Sequence, residues 1–148
     1  MAVLLSIAAA ISAVDAMTAR VDLGTTNPQA AFTVYSGPVP TRSDAALDPA
    51  NIALVTIAMN ADAFGDATDN TDDLVAEAIA GAIAETPALA DGTATFYRQF
   101  DRDGNVVWQG VTTEANLGGD MELSAINVVT GVNVVVQSYA LRIPYAVA

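Results

Sequence analysis

From residue 30 onward the chain is a succession of short strand-type runs separated by turn residues, and that punctuation limits the fold more than any other feature. Ala31-Phe-Thr-Val-Tyr35 alternates, and Ser36-Gly-Pro-Val-Pro40 stops it. Asp44 to Asn51 reads as a loop or a short turn of helix, and Ile52 to Met59 as the next strand. Thr93 to Phe100, the turn Asp101-Arg-Asp-Gly104 and Val106 to Val111 have the pattern of a β-hairpin. Gly118-Gly119-Asp120 turns the chain into Met121 to Val129, and Thr130-Gly131 precedes a long final run from Val132 to Pro144. Strands at such intervals predict a mainly β fold, a β-sandwich or an open barrel.

Ahead of this body, Leu4, Ile7, Ile11, Val14 and Val21 keep the three–four spacing of one helical face, with Thr18 in the missing slot. The spacing predicts an N-terminal helix within 1–23, ended by Gly24, Asn27 and Pro28. Its opposite side holds Ala9, Ala10, Ala13 and Ala16, with only Ser6, Ser12 and Asp15 for polarity. A solvated helix usually has a charged back, so two readings stand: a helix docked on a neighbour, or one packed on its own sheet with alanines chosen for propensity. Ala2 to Val14 lacks a positive leader, ends at Asp15 and is too short to span a bilayer. It is expected to be a helix of the mature protein.

Residues 60–73 read as an acidic polar loop. Leu74 to Ala84 fits two periods: Val75, Ile79 and Ile83 lie on a helical stripe, while Val75, Glu77, Ile79, Gly81 and Ile83 also alternate with alanines. Gly81 would cost a helix about 1 kcal/mol, so strand is the expectation. No linker or internal repeat divides the chain. One domain, 1–148, is expected, with the helix in 1–23 and the β-rich body in 30–145.

The residue inventory restricts chemistry. There is no His and no Cys, and the five basic residues are all arginine: Arg20, Arg42, Arg98, Arg102 and Arg142. The commonest general base and metal ligand is therefore missing, as are a thiolate nucleophile and a Schiff-base or P-loop lysine. A net charge of −12 repels phosphate, which argues against nucleic acid and anionic membrane as partners. Hydrophobic residues make up 53 % and charged residues 15 %, so a packed core is required and a partner surface is plausible.

Candidate sites are few, and each has a plain structural reading. Asp62, Asp66, Asp69, Asp72 and Asp73 could offer oxygens to calcium, but no calcium-loop pattern is present and such runs are usually solvated. Asp101, Asp103 and Asn105 alternate like calcium ligands, yet Gly104 falls too early and Thr112 stands where the closing glutamate belongs. Trp108, the one tryptophan, is expected in the core or as an interface anchor. The motifs of nucleophile elbows, dinucleotide folds and P-loops are absent. The expectation is a non-enzyme with no catalytic residues, no cofactor and no metal.

Several ordered segments carry a resemblance: Phe32-Thr-Val-Tyr-Ser-Gly-Pro-Val-Pro40, Ala90-Asp-Gly-Thr-Ala-Thr-Phe-Tyr-Arg98, Phe100-Asp-Arg-Asp-Gly104, Trp108-Gln-Gly110, Met121-Glu-Leu, Ile126-Asn-Val-Val-Thr-Gly131 and the closing strand Val134 to Ile143. In that order, behind an N-terminal helix, they resemble small Ala- and Thr-rich structural proteins of tailed bacteriophages, over nearly the whole chain. Residues 66–91 are more acidic than that pattern, and Glu122 stands where Asp or Asn is expected. The resemblance implies a virion protein made in the host cytoplasm, most simply a head decoration or cement protein on the head exterior. Its partners would be the major capsid protein and copies of itself, as a trimer. A tail, neck or tail-tip subunit is the alternative, and a carbohydrate- or host-binding module a distant third. The alanine-faced helix and the loops around Tyr35, Pro38 and Pro40 are the expected anchors.

Overall fold

The computed structural model describes residues 3–146, which form a mainly β domain behind one helix. Helix α1 is Ile7–Val21, with Ser6 as its N-cap: the Ser6 hydroxyl accepts the Ala9 amide at 3.2 Å. The helix is therefore shorter than the predicted span. Val3 to Ser6 lie outside it, and Met1 and Ala2 lie outside the described residues. Arg20 in its last turn complements the helix dipole.

The strands are β1 (Ala31–Ser36), β2 (Ile52–Ala58), β3 (Thr68–Asn70), β4 (Val75–Ile79), β5 (Thr86–Pro87), β6 (Gly92–Phe100), β7 (Val106–Glu114), β8 (Met121–Leu123), β9 (Asn127–Val128), β10 (Asn133–Val134) and β11 (Val136–Pro144). The large sheet runs β2-β1-β6-β7-β8-β11-β4-β3, with β9 added to β6, and β5 and β10 make a separate ribbon. Only β7 and β8 pair in parallel. Asp120 takes the Val111 amide at 2.9 Å just ahead of that short pairing.

This sheet curls strongly. In a flat sheet β1 and β11 would stand roughly 19 Å apart, four strand spacings. Yet Phe32 of β1 and Tyr139 of β11 meet edge to face at 5.6 Å. Curling brings the inner rows together: Phe32, Tyr97, Trp108 and Tyr139, with Phe64 from the β2–β3 connection, fill one aromatic core. A polar chain threads it. The Trp108 indole donates to the Tyr139 hydroxyl at 3.0 Å, and that hydroxyl donates to Gln99 Oε1 at 2.8 Å. Gln99 Nε2 in turn donates to the carbonyls of Ala31 and Phe100, so the buried amide is satisfied. Burial raises the pKa of both Tyr97 and Tyr139.

Strands β1 and β6 are buried almost continuously, where the sequence suggested alternation for β1. Both of their faces are covered. The inner face meets the aromatic core, and the 37–51 loop lies on the outer face over Tyr35, Phe96 and Arg98.

Leu74 to Ala84 resolves as strand β4 followed by an extended segment, so the helical alternative falls. Its buried residues are Val75 and the alanines Ala76 and Ala78, while Ile79 is exposed. Small side chains are needed because α1 lies directly on this strand, with Ala10 and Val14 against Ala76 and Ala78. The helix accordingly buries Ala10, Val14, Thr18 and Val21. Val14, Thr18 and Val21 are on the expected face, and Ile11 is half-buried; the difference is that Ala10 goes inside while Ile7, and Leu4 ahead of the helix, are exposed.

Three strand boundaries also differ. The acidic loop contains β3, which pairs with β4. Met121 to Val129 breaks after Leu123, because β8 pairs with β7 and β11 while β9 pairs with β6. The last run breaks at Val135, between the ribbon strand β10 and β11. Among the described residues no helix is long and apolar enough to cross a membrane.

Candidate interaction surface

The 37–51 loop is irregular yet firmly tied. Buried Arg98 donates from Nε to Gln109 Oε1 at 3.1 Å and from Nη2 to the Ala45 carbonyl at 2.8 Å. Gln109 Nε2 reaches the Pro40 carbonyl at 2.8 Å, and Asn51 Nδ2 bridges the carbonyls of Ser36 and Pro38. Arg98 thus has neutral acceptors here, which spreads its charge over loop carbonyls. The result is a preorganised platform from which Val39 and Leu47 project, beside a shallow groove of about 270 Å³ lined by Pro38, Val39, Pro40 and Ala46.

The platform continues round the end of the sheet. Ile52 pairs with Ser36 at the start of β2. The Leu89 amide donates to the Leu54 carbonyl at 2.8 Å, which sets the 88–90 segment beside that strand. Ala88 and the 129–132 turn exchange two backbone bonds, Ala88 N to Val132 O and Gly131 N to Ala88 O. Ile52, Leu89, Val129 and Val132 are all exposed on these neighbouring segments, Leu89 at 76 %. Together with Val39 and Leu47 they make an apolar band around one end of the molecule.

Two of the segments that carry the band are free of charge. From Leu123 to Leu141 there is no charged residue, and none from Pro49 to Ala61. Asp91 is turned onto Thr130, accepting its amide at 2.7 Å and its hydroxyl at 2.8 Å, and these bonds lower its pKa. The same bonds fix the 129–132 turn. The charges nearest the band lie in the 37–51 loop: Arg42 pairs with Asp44, and Asp48, which also lines the groove, accepts the Ala50 amide.

The residues singled out in the sequence fall in different places. Tyr35 is buried and stacked on Phe96 at 5.0 Å, so it holds the loop rather than facing a partner. Pro38 is exposed, and Pro40 is half-buried. On the helix Ala9 and Ala16 are exposed, and so is Ile7 on the other side; Val3 and Leu4, ahead of the helix, are exposed too. Trp108 is in the core.

Two residues of the acidic loop are engaged locally. Asp69 accepts from the Tyr145 hydroxyl, which raises that phenol's pKa, and Asp73 accepts from Asn70. Among the described residues no three acidic side chains converge in a way that could hold a metal ion. In the hairpin turn Asp101 accepts the amides of Asp103 and Asn105. Asp103 reaches across to accept the amides of Thr25 and Thr26 and the Thr26 hydroxyl. These bonds lower the Asp103 pKa and clamp the segment after α1 to the hairpin.

Comparison of the chain with protein-family models, with curated proteins and with solved structures finds no match in any of the three. The band's members Ile52, Leu89, Val129 and Val132 were not singled out by sequence, because each is one apolar residue inside or beside a strand or turn. The available signal was the long uncharged stretch from Leu123 to Leu141.

Proposed function

We propose that this chain is a structural, non-enzymatic protein of a tailed-bacteriophage particle, and within the particle a head decoration or cement protein. The observation that carries the binding role is the exposed apolar band, Val39, Leu47, Ile52, Leu89, Val129 and Val132, held on hydrogen-bonded loops. Preorganised loops lose little entropy on docking, so the apolar area they cover contributes to affinity. The assignment to a virion rests on the resemblance of the ordered turn-and-strand segments.

Packed DNA pushes capsid subunits apart, and a protein lying across their seams adds binding free energy that must be lost before the shell opens. A rigid β body with an apolar docking end suits that task. The experiment is fractionation of particles into tailless heads and isolated tails, with the chain followed by mass spectrometry. Recovery with heads is expected. Recovery with tails alone would transfer the assignment to a tail or neck subunit, and absence from both would overturn it.

A further inference from the structure

The exposed end is not the only unfinished part of the surface: one edge of the large sheet is open. Strand β2 lies at that edge, paired on one side with β1. The Met59 amide donates to the Ala30 carbonyl, and the register sets Ala31 opposite Ala58, Phe32 opposite Ile57 and Thr33 opposite Thr56. In an antiparallel ladder hydrogen-bonded and non-bonded pairs alternate. Ile57 therefore turns its amide and carbonyl to β1, and Thr56 and Ala58 turn theirs outward. Both residues are exposed, and among the described residues no backbone partner reaches them on that side.

Edge strands are usually guarded by charge, proline or cover. Here the first half of β2 has cover, from the bulge at Leu54 and the Leu89 amide bonded to its carbonyl. The second half has none. From Pro49 to Ala61 the chain is uncharged. The other end of the sheet is the short strand Thr68-Asp69-Asn70, flanked by Asp66, Asp72 and Asp73. Two copies of a chain of charge −12 would repel across that acidic edge, whereas β2 itself carries no charge.

We infer that β2 is a self-association edge, at which a second copy adds its own β2 antiparallel about a two-fold axis through Ile57. This register places Thr56 opposite Ala58 of the partner subunit, and Ala58 opposite Thr56 of the partner subunit. Both pairs are hydrogen-bonded pairs, so every outward amide and carbonyl of the two residues is used. The side chains brought together on the outer face are small, and a cleft of about 380 Å³ lined by Ala31, Thr56, Ala58, Phe100 and Asp101 adjoins the edge. Main-chain bonding along an edge with adjacent space for side chains is the chemistry of strand addition. The contact is isologous and closes as a dimer, which differs from the trimer implied by the family resemblance.

The test is the mass of the full chain by analytical ultracentrifugation over a wide concentration range, with amide exchange at Thr56 and Ala58. A monomer–dimer equilibrium is expected, with those two amides becoming protected as dimer forms. Ala58→Pro removes an outward amide and leaves the β1 ladder intact, and Ala58→Glu sets extra like charge against the partner. Both variants are expected to sediment as monomers with unchanged far-ultraviolet circular dichroism. A wild-type monomer at all concentrations, a trimer, or a dimer that survives Ala58→Glu would overturn the inference. Pairing is independent of the head-binding proposal: a dimer that fails to bind heads removes only that proposal, and a monomer that binds them removes only this one.

Discussion

Gly110 lies directly beneath the ring of Tyr97: a Cβ at position 110 would stand 2.6 Å from Tyr97 Cε1 and 2.7 Å from its hydroxyl oxygen. The two residues face each other across the β6–β7 hairpin, and the missing side chain is the space the tyrosine occupies. Tyr97 in turn meets Tyr139 edge to face at 5.0 Å, so the glycine sets the position of the aromatic core. Gly110→Ala is expected to destabilise the fold by about 1–3 kcal/mol through overpacking. A shift of the urea midpoint at constant slope is the measurement. An unchanged midpoint would show that the ring has room to move.

Removing one oxygen from the core is expected to cost more. Tyr139→Phe leaves the Trp108 indole N–H and the Gln99 carbonyl without the partner they share. A buried unsatisfied group costs about 1–3 kcal/mol, so a loss of roughly 2–6 kcal/mol is expected from the two, together with an altered Trp108 emission spectrum. Chemical denaturation followed by fluorescence reads both.

Alkaline pH should act on the same cluster. Burial raises the pKa values of Tyr97 and Tyr139 above the ordinary phenol value. The native state therefore holds protons that the unfolded chain releases above about pH 10. Stability is complete below that pH and falls as pH rises toward the folded-state values, by about 1.4 kcal/mol per pH unit for each buried phenol. Absorbance titration should show these two tyrosines ionising only as the protein unfolds. Reversible ionisation with the fold intact would contradict it.

Acid should act at the clamp after the helix. The pKa of Asp103 is lowered in the fold by the bonds from Thr26 and Thr25. Its contribution is present above the unfolded carboxyl pKa of about 3.9 and is lost as pH falls through the lower folded value. Asp103→Asn is expected to flatten the loss of thermal stability in that acidic window while leaving the neutral fold intact. Melting curves across the window decide it.

The fold was legible where local chemistry and tertiary demand agree. The Asp101 to Gly104 turn and its flanking strands follow from turn residues alone, and β4 was favoured over helix by Gly81 and its neighbours. The helix face was right for Val14, Thr18 and Val21 but shifted at its first turn, where Ala10 is buried against Ala76 and Ala78, a long-range fit that apolar spacing does not encode. Of the residues in the loops expected as anchors, Pro38 is exposed while Tyr35 is buried against Phe96, a tertiary contact its local sequence does not show. β3 was hidden in an acidic stretch because its pairing comes from β4, not from its own composition. The apolar band was the least legible, since its members are brought together by β2, the 88–90 segment and the 129–132 turn.

The docking claim is tested most directly at the centre of the band. Leu89 and Val132 are exposed, so Leu89→Glu with Val132→Glu should leave the melting temperature close to that of the parent. Each buried apolar side chain contributes about 1.5–3 kcal/mol, so losing two should weaken attachment by at least about a hundredfold. The measurement is co-sedimentation of parent and double variant with purified heads stripped of this protein. The account expects saturable binding of the parent and none of the folded variant at the same concentrations; equal binding of the two, or no binding of the parent, would contradict it.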